Sequence, residues 1–288
     1  MELPTSLRPK INPAAIRRQD LLCLFLYYLQ FSRIRNLVFR LRRKPVVRIL
    51  AFHDVPNSQV QCFREKLEIV KAVANVVSLD DIFNGTLSWD KINVAITFDD
   101  GFCGWLDNAC PILKDFGMNA TFFVSSGLIG LRDECKQGYA SSYIPSNRRA
   151  NSSIFTEESV RKLAEEGFAI GGHTWNHANL EDIHDINKLS IEIQKDKKEL
   201  ERILGATVDY FAYPFGKYKN AYVDLAQVLQ ASGYKAAVTL VPGFITPGIN
   251  NYYWHRDLAR ASTPSNIFKS RILGNYDGVM SIRRILQL

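Results

Sequence analysis

Two adjacent carboxylates, Asp99 and Asp100, follow the run "NVAITF" and precede Gly101. Like charges side by side at the end of a β-forming segment repel each other unless a cation or a division of roles relieves them. Farther along, "HTWNH" spaces His173 and His177 four residues apart. At that spacing a helical or tight turn lets both imidazoles present a nitrogen to one ion. Two histidines, one carboxylate and open positions form a catalytic rather than a structural metal pattern. Such a site needs only one of the two acids. The other, kept ionised by the cation, is available as a general base toward a metal-bound water. An isolated acid pair more often marks a solvated turn or a helix N-cap, but "DDG" closing a buried-looking strand argues against that reading.

These residues must be brought together by the elements around them. From residue 46 onward, short β-branched or aromatic runs alternate with longer helical patterns, which predicts parallel strands joined by crossover helices. Strands are expected at 46–53, 93–99, 120–125, 168–173, 209–214 and 235–240, with a weaker one at 257–262. Helices are expected at 62–74, 156–167 and 188–205; Thr156 with Ser159 forms a partial capping box, and Gly167 and Gly205 suit helix C-termini. The polar, turn-rich stretch 132–153 reads as a long loop of the kind that carries function. Some seven β/α units imply a barrel-like sheet, in which chemistry gathers at the C-terminal strand ends. His53, Asp99, Asp100, His173 and His177 all fall at such ends.

Composition narrows the function classes. The 288-residue chain is 47% hydrophobic, enough for a sizeable core. Its net charge of +7 is concentrated at one end: residues 1–44 carry ten basic side chains against Glu2 and Asp20, a surplus of eight, so the remaining 244 residues net −1. A whole-domain nucleic-acid footprint is therefore not supported. Five cysteines without a CxxC pair argue against a disulfide-stapled scaffold. The apolar run 21–31, flanked by arginines, is shorter than the roughly 20 residues a membrane span needs and lacks a signal-peptide cleavage site. It reads either as a helix packed on the domain or as a basic, aromatic-rich helix on an anionic membrane surface. The expected organisation is a basic, partly apolar helical segment over 1–45 and a catalytic domain over 46–288, located in the cytoplasm or at a membrane periphery.

The motifs, taken together, resemble the polysaccharide deacetylase (NodB homology) family, carbohydrate esterase family four. "TFDDG" (97–101) is similar to the family's first motif, "HTWNH" (173–177) to its second and "YPFG" (213–216) to part of its third, within similar text over roughly residues 46–270. The resemblance implies an α/β fold, a deformed (β/α)7-type barrel, and metal-dependent hydrolysis of an N-acetyl group on a sugar. It implies Asp100, His173 and His177 as metal ligands, Asp99 as base, and the backbone N–H of Phe215, after Pro214, as an oxyanion donor. For the general acid, His53 in "AFHDV" resembles the early histidine of circularly permuted members such as the poly-N-acetylglucosamine deacetylases, whereas His255 lies among aromatics. An arginine commonly found two residues before the third-motif proline is Ala212 here, leaving Arg260 or Arg256 to reach the base from elsewhere.

The reading that results is a carbohydrate N-deacetylase acting on N-acetylhexosamine units of a polysaccharide or glycan precursor. Its cofactor would be one divalent ion, zinc first, with Co2+, Ni2+ or Mn2+ as alternatives. Trp175, Tyr213 and Tyr143 are candidates to stack on sugar, against core packing as the competing role; Arg260 is a candidate substrate contact. The alternatives are an O-acetyl esterase or non-sugar amidase on the same fold, or a catalytically weak glycan-binding protein held at a membrane by residues 1–44.

Overall fold

The computed structural model describes residues 44–130, 155–220, 223–245, 248–275 and 277. Residues 1–43 with the apolar run 21–31, and the whole of the loop 132–153 with Tyr143, lie outside the described residues.

Eight strands form one sheet: β1 (Val46–Phe52), β2 (Ala74–Val76), β3 (Ile92–Asp99), β4 (Thr121–Val124), β5 (Ala169–Gly172), β6 (Tyr210–Ala212), β7 (Ala236–Val238) and β8 (Asp257–Leu258). Their order is β7-β6-β5-β4-β3-β1-β8, with β2 on the side of β3, and every ladder is parallel. The sheet curls. Trp254, just before β8, bridges Val238 of β7, and Ile245 bridges Val47 of β1, so the segment leading into β8 connects the two ends of the strand series. This is the deformed barrel that the alternating pattern implies.

β1 and β3 are buried along their whole length, as expected of parallel strands covered on both faces. Pleat alternation sorts their side chains. Val46, Leu50 and Phe52, with Val94, Ile96 and Phe98, join the larger core under the helices, while Val47, Ile49 and Ala95 join a smaller core with Phe123, Tyr210, Ala212, Val238 and Trp254. Thr97 and Asp99 continue the row begun by Ala95, so Asp99 ends β3 on the barrel side. The larger core contains a chain of aromatic contacts: Phe52 to Phe98 at 5.5 Å, Phe98 to Phe122 at 4.7 Å and Phe122 to Phe168 at 5.4 Å between ring centroids.

Seven α-helices are described: α1 (Val60–Val73), α2 (Leu79–Asn84), α3 (Cys110–Phe116), α4 (Glu157–Glu165), α5 (Ile186–Leu204), α6 (Leu225–Ala231) and α7 (Ser265–Ile272). At the start of α4, Thr156 and Ser159 form both halves of the capping box, and Gly205 ends α5 in the left-handed conformation at φ 65°. Strand β2 and helix α2 were not anticipated from the pattern. Three residues are too short for a period-2 signal, and α2 is marked mainly by its Ser78–Asp81 capping box. Among the described residues no helix is long and apolar enough to cross a membrane.

Candidate active site

The ends of β1, β3 and β5 bring His53, Asp99, Asp100, His173 and His177 together. Asp100 sits at the centre. Its Oδ1 lies 3.3 Å from His173 Nε2 and 3.2 Å from His177 Nε2, and its Oδ2 faces His53 Nε2 at 3.8 Å. The Asp100 side chain is 10% exposed, so the cluster is shielded but reachable.

The backbone here is costly. Among the described residues the non-glycine positions with positive φ are Asp100 (88°), Thr174 (62°), His177 (55°) and Phe215 (60°). Each such position costs on the order of 1–3 kcal/mol and persists only where its surroundings overdetermine it. All four belong to the strand-end loops that form this cluster. The 173–177 stretch is accordingly a strained loop and not a helical turn.

The donor set fits a divalent cation. His173 Nδ1 is 2.7 Å from the carbonyl oxygen of Ala212, which can only accept; Nδ1 therefore carries a proton, and Nε2 is the ring nitrogen left to face a cation. Asp100 Oδ2 is a buried oxygen without a hydrogen-bond partner. The ligand atoms of Asp100, His173 and His177 lie within 4.8 Å of one another. Two imidazole nitrogens and one carboxylate oxygen match zinc and its neighbours better than magnesium or calcium. Burial opposes the charge of Asp100, but bonds from His173 and His177 hold its carboxyl well below the usual range; burial likewise opposes protonation of His177, and Asp100 outweighs it and raises that pKa.

Asp99 is turned to a different partner. Arg256 Nη1 and Nη2 each donate to one Asp99 oxygen at 2.7 Å, Nη1 also reaches Thr97 Oγ1 at 3.1 Å, and Nε donates to the Thr239 carbonyl at 2.8 Å. Burial works against the Asp99 charge, but Arg256, with His173 adding to it, lowers the pKa below the ordinary value. Of the two arginines that could take the place left by Ala212, Arg256 does so. Arg260 is exposed and is not the partner of Asp99.

Two candidates for stacking on sugar lie against other protein groups. Tyr213 is fully buried, which leaves no ring face for a sugar, and Pro214 beside it is also buried. Trp175 is half-buried: Lys195 Nζ lies over its ring at 3.7 Å, and a Cβ on Gly127 would fall 2.8 Å from the indole nitrogen. The Phe215 ring packs edge-on against His177 at 4.8 Å. His255 lies against Gly243, where a Cβ would fall 3.3 Å from its Nδ1.

Pattern reading missed several groups: the Ala212 carbonyl, Ser125, Glu192 and Asp196. One signal was available. Leu189, Ile193, Leu200 and Ile203 form the buried stripe of α5, and Asp196 occupies a core position within it. An acid in an apolar stripe needs internal partners.

The family profile described as polysaccharide deacetylase matches residues 88–237, just over half of the chain. The chain belongs to the polysaccharide deacetylase family. The Bacillus subtilis protein YxkH is 28% identical over 163 residues, covering 57% of this chain and 50% of that one. The peptidoglycan-N-acetylglucosamine deacetylase of Bacillus cereus is 28% identical over 130 residues, 45% of this chain and 38% of that one. This deacetylase-family chain thus spans half or less of the length of these curated relatives. The solved structure of IcaB from Ammonifex degensii superposes with a TM-score of 0.62 over 80% of this chain and 98% of its own, at 20% identity, a likeness of fold.

Proposed function

We propose that the protein is a divalent-metal-dependent carbohydrate N-deacetylase that hydrolyses the acetamide of an N-acetylhexosamine unit. The observation that carries this reading is the separation of the two adjacent acids: Asp100 meets His173 and His177, whereas Asp99 is gripped by Arg256. Membership of the polysaccharide deacetylase family and the peptidoglycan-N-acetylglucosamine deacetylase among its relatives support the substrate class.

Asp100, His173 and His177 would hold the ion. A bound divalent ion supplies Lewis acidity toward the amide carbonyl and lowers the pKa of water. Asp99, ionised and oriented by Arg256, accepts a proton from the attacking water. The carbon–nitrogen bond then breaks; His53, which faces the other Asp100 oxygen from the two remaining histidines, donates a proton to the departing sugar amine, and acetate leaves. An imidazole is suited to that role near neutral pH. The Phe215 N–H, aimed by a left-handed backbone after Pro214, contributes to oxyanion stabilisation.

The test is acetate release from N-acetylglucosamine oligomers by wild type, by chelator-treated protein and by protein reloaded with Zn2+. Activity lost with chelator and restored by Zn2+ is expected. Full activity in metal-free protein, or cleavage of acetylated xylan but not of the oligomers, would contradict this reading.

A further inference from the structure

We propose that one face of α5, formed by Glu192, Lys195 and Asp196, is a positioning device that holds the 173–177 loop so that both of its histidines meet Asp100. This inference rests on the metal reading given above.

The loop contains two non-glycine left-handed residues, Thr174 and His177, so it does not hold its shape through local preference. Its contacts with α5 run in step with its sequence. Asp196 Oδ2 accepts the His173 N–H at 2.8 Å. The Glu192 carbonyl accepts the Trp175 N–H at 2.8 Å, and Lys195 covers the Trp175 ring. The Glu192 carboxylate then takes Asn176 twice, accepting its backbone N–H and its side-chain amide at 2.9 Å each. Positions i, i+3 and i+4 lie on one helix face, so a single rigid element grips three of the five loop residues.

Asp196 is fully buried, and its second oxygen ties the loop to the neighbouring strand end: Oδ1 accepts from both the N–H and the hydroxyl of Ser126. The adjacent Ser125 hydroxyl donates to the His173 carbonyl at 2.8 Å. His173 is therefore fixed at its N–H by α5, at its C=O by the end of β4 and at its ring Nδ1 by the end of β6. Glu192, Lys195 and Asp196 are not ligands. They act through the loop, as outer groups that orient metal-binding residues do.

The experiment titrates the full chain with Co2+, following the visible absorption of the bound ion, with Zn2+ competition for affinity and circular dichroism to establish folding. Glu192→Gln keeps the helix and the carbonyl contact to Trp175 but places an amide against Asn176. Asp196→Asn removes one of two carboxylate acceptors. Each is expected to weaken metal binding about tenfold or more and to change the Co2+ spectrum, while the exposed Lys198→Ala control on the same helix changes neither. Folded variants that bind Co2+ with wild-type affinity and spectrum, differing only in melting temperature, would overturn the inference. In that case, wild-type binding that is lost in His173→Ala leaves the metal reading standing. Absence of Co2+ binding by the wild type would overturn both. If Asp196→Asn does not fold, Glu192→Gln decides.

Discussion

Arg256 holds both carboxylate oxygens of Asp99 at 2.7 Å across 157 residues of chain, using the two ends of its guanidinium fork. Both side chains are almost fully buried, at 0% and 3% exposure. A bidentate pair of this kind fixes direction as well as charge, which a lysine could not do.

Replacing Arg256 with Gln should therefore leave a buried carboxylate without its counter-charge, at a cost of about 3–5 kcal/mol. With the largest opponent of burial removed, the Asp99 pKa rises, so the acid limb of the activity profile moves to higher pH. The stability effect has a defined sign. In the wild type the folded pKa lies below the unfolded value, so the pair stabilises the fold above pH ~3.9 and loses that contribution as pH falls through the folded pKa. Urea unfolding of both proteins between pH 3 and pH 7 checks this; a wild-type loss of stability on acidification that persists unchanged in Arg256→Gln would refute the assignment.

Gly172 precedes His173 where the chain has no room for a side chain. A Cβ there would meet the Tyr234 hydroxyl at 2.2 Å and Asp196 Oδ2 at 2.9 Å. Gly172→Ala should destabilise the protein by about 1–3 kcal/mol through overpacking. Because the strain falls on the carboxylate that holds His173, metal affinity should fall as well. Thermal unfolding with and without Zn2+ separates the two effects.

Tyr213 makes the opposite case. Its hydroxyl is buried without a hydrogen-bond partner, and its ring is inaccessible. Removing an unpaired buried hydroxyl is close to neutral or stabilising, so Tyr213→Phe should change stability by less than about 1 kcal/mol. It should also leave KM for an N-acetylglucosamine oligomer unchanged, whereas a sugar-stacking role or a hidden hydrogen bond would show as a shift in one of these values.

Much of this arrangement was legible from residue types. Asp99, Asp100, His173 and His177 declare themselves because chemistry restricts what can sit at strand ends, and runs of β-forming residues such as 93–99 announce the parallel strands. The partners are harder to read. Arg256 and Asp99 are joined only by barrel curvature, which no local pattern encodes. The Ala212 carbonyl is a backbone group available at any residue type, so its bond to His173 leaves no trace in the sequence. Trp175 and Tyr213 left two roles open for a related reason: an aromatic residue beside a catalytic motif has the same composition whether its ring faces solvent, a lysine or the core. Asp196 was readable in principle, as an acid in the apolar stripe of α5.

The central claim is that two neighbouring acids do different work, and metal content of purified Asp99→Asn and Asp100→Ala, measured alongside acetate release, tests it most directly. The prediction is that Asp99→Asn retains about one ion per chain with acetate release reduced at least a hundredfold, on the order of the contribution of a general base, while Asp100→Ala loses both metal and activity. Loss of metal from Asp99→Asn, or its retention at wild-type affinity in Asp100→Ala, would contradict the division of roles.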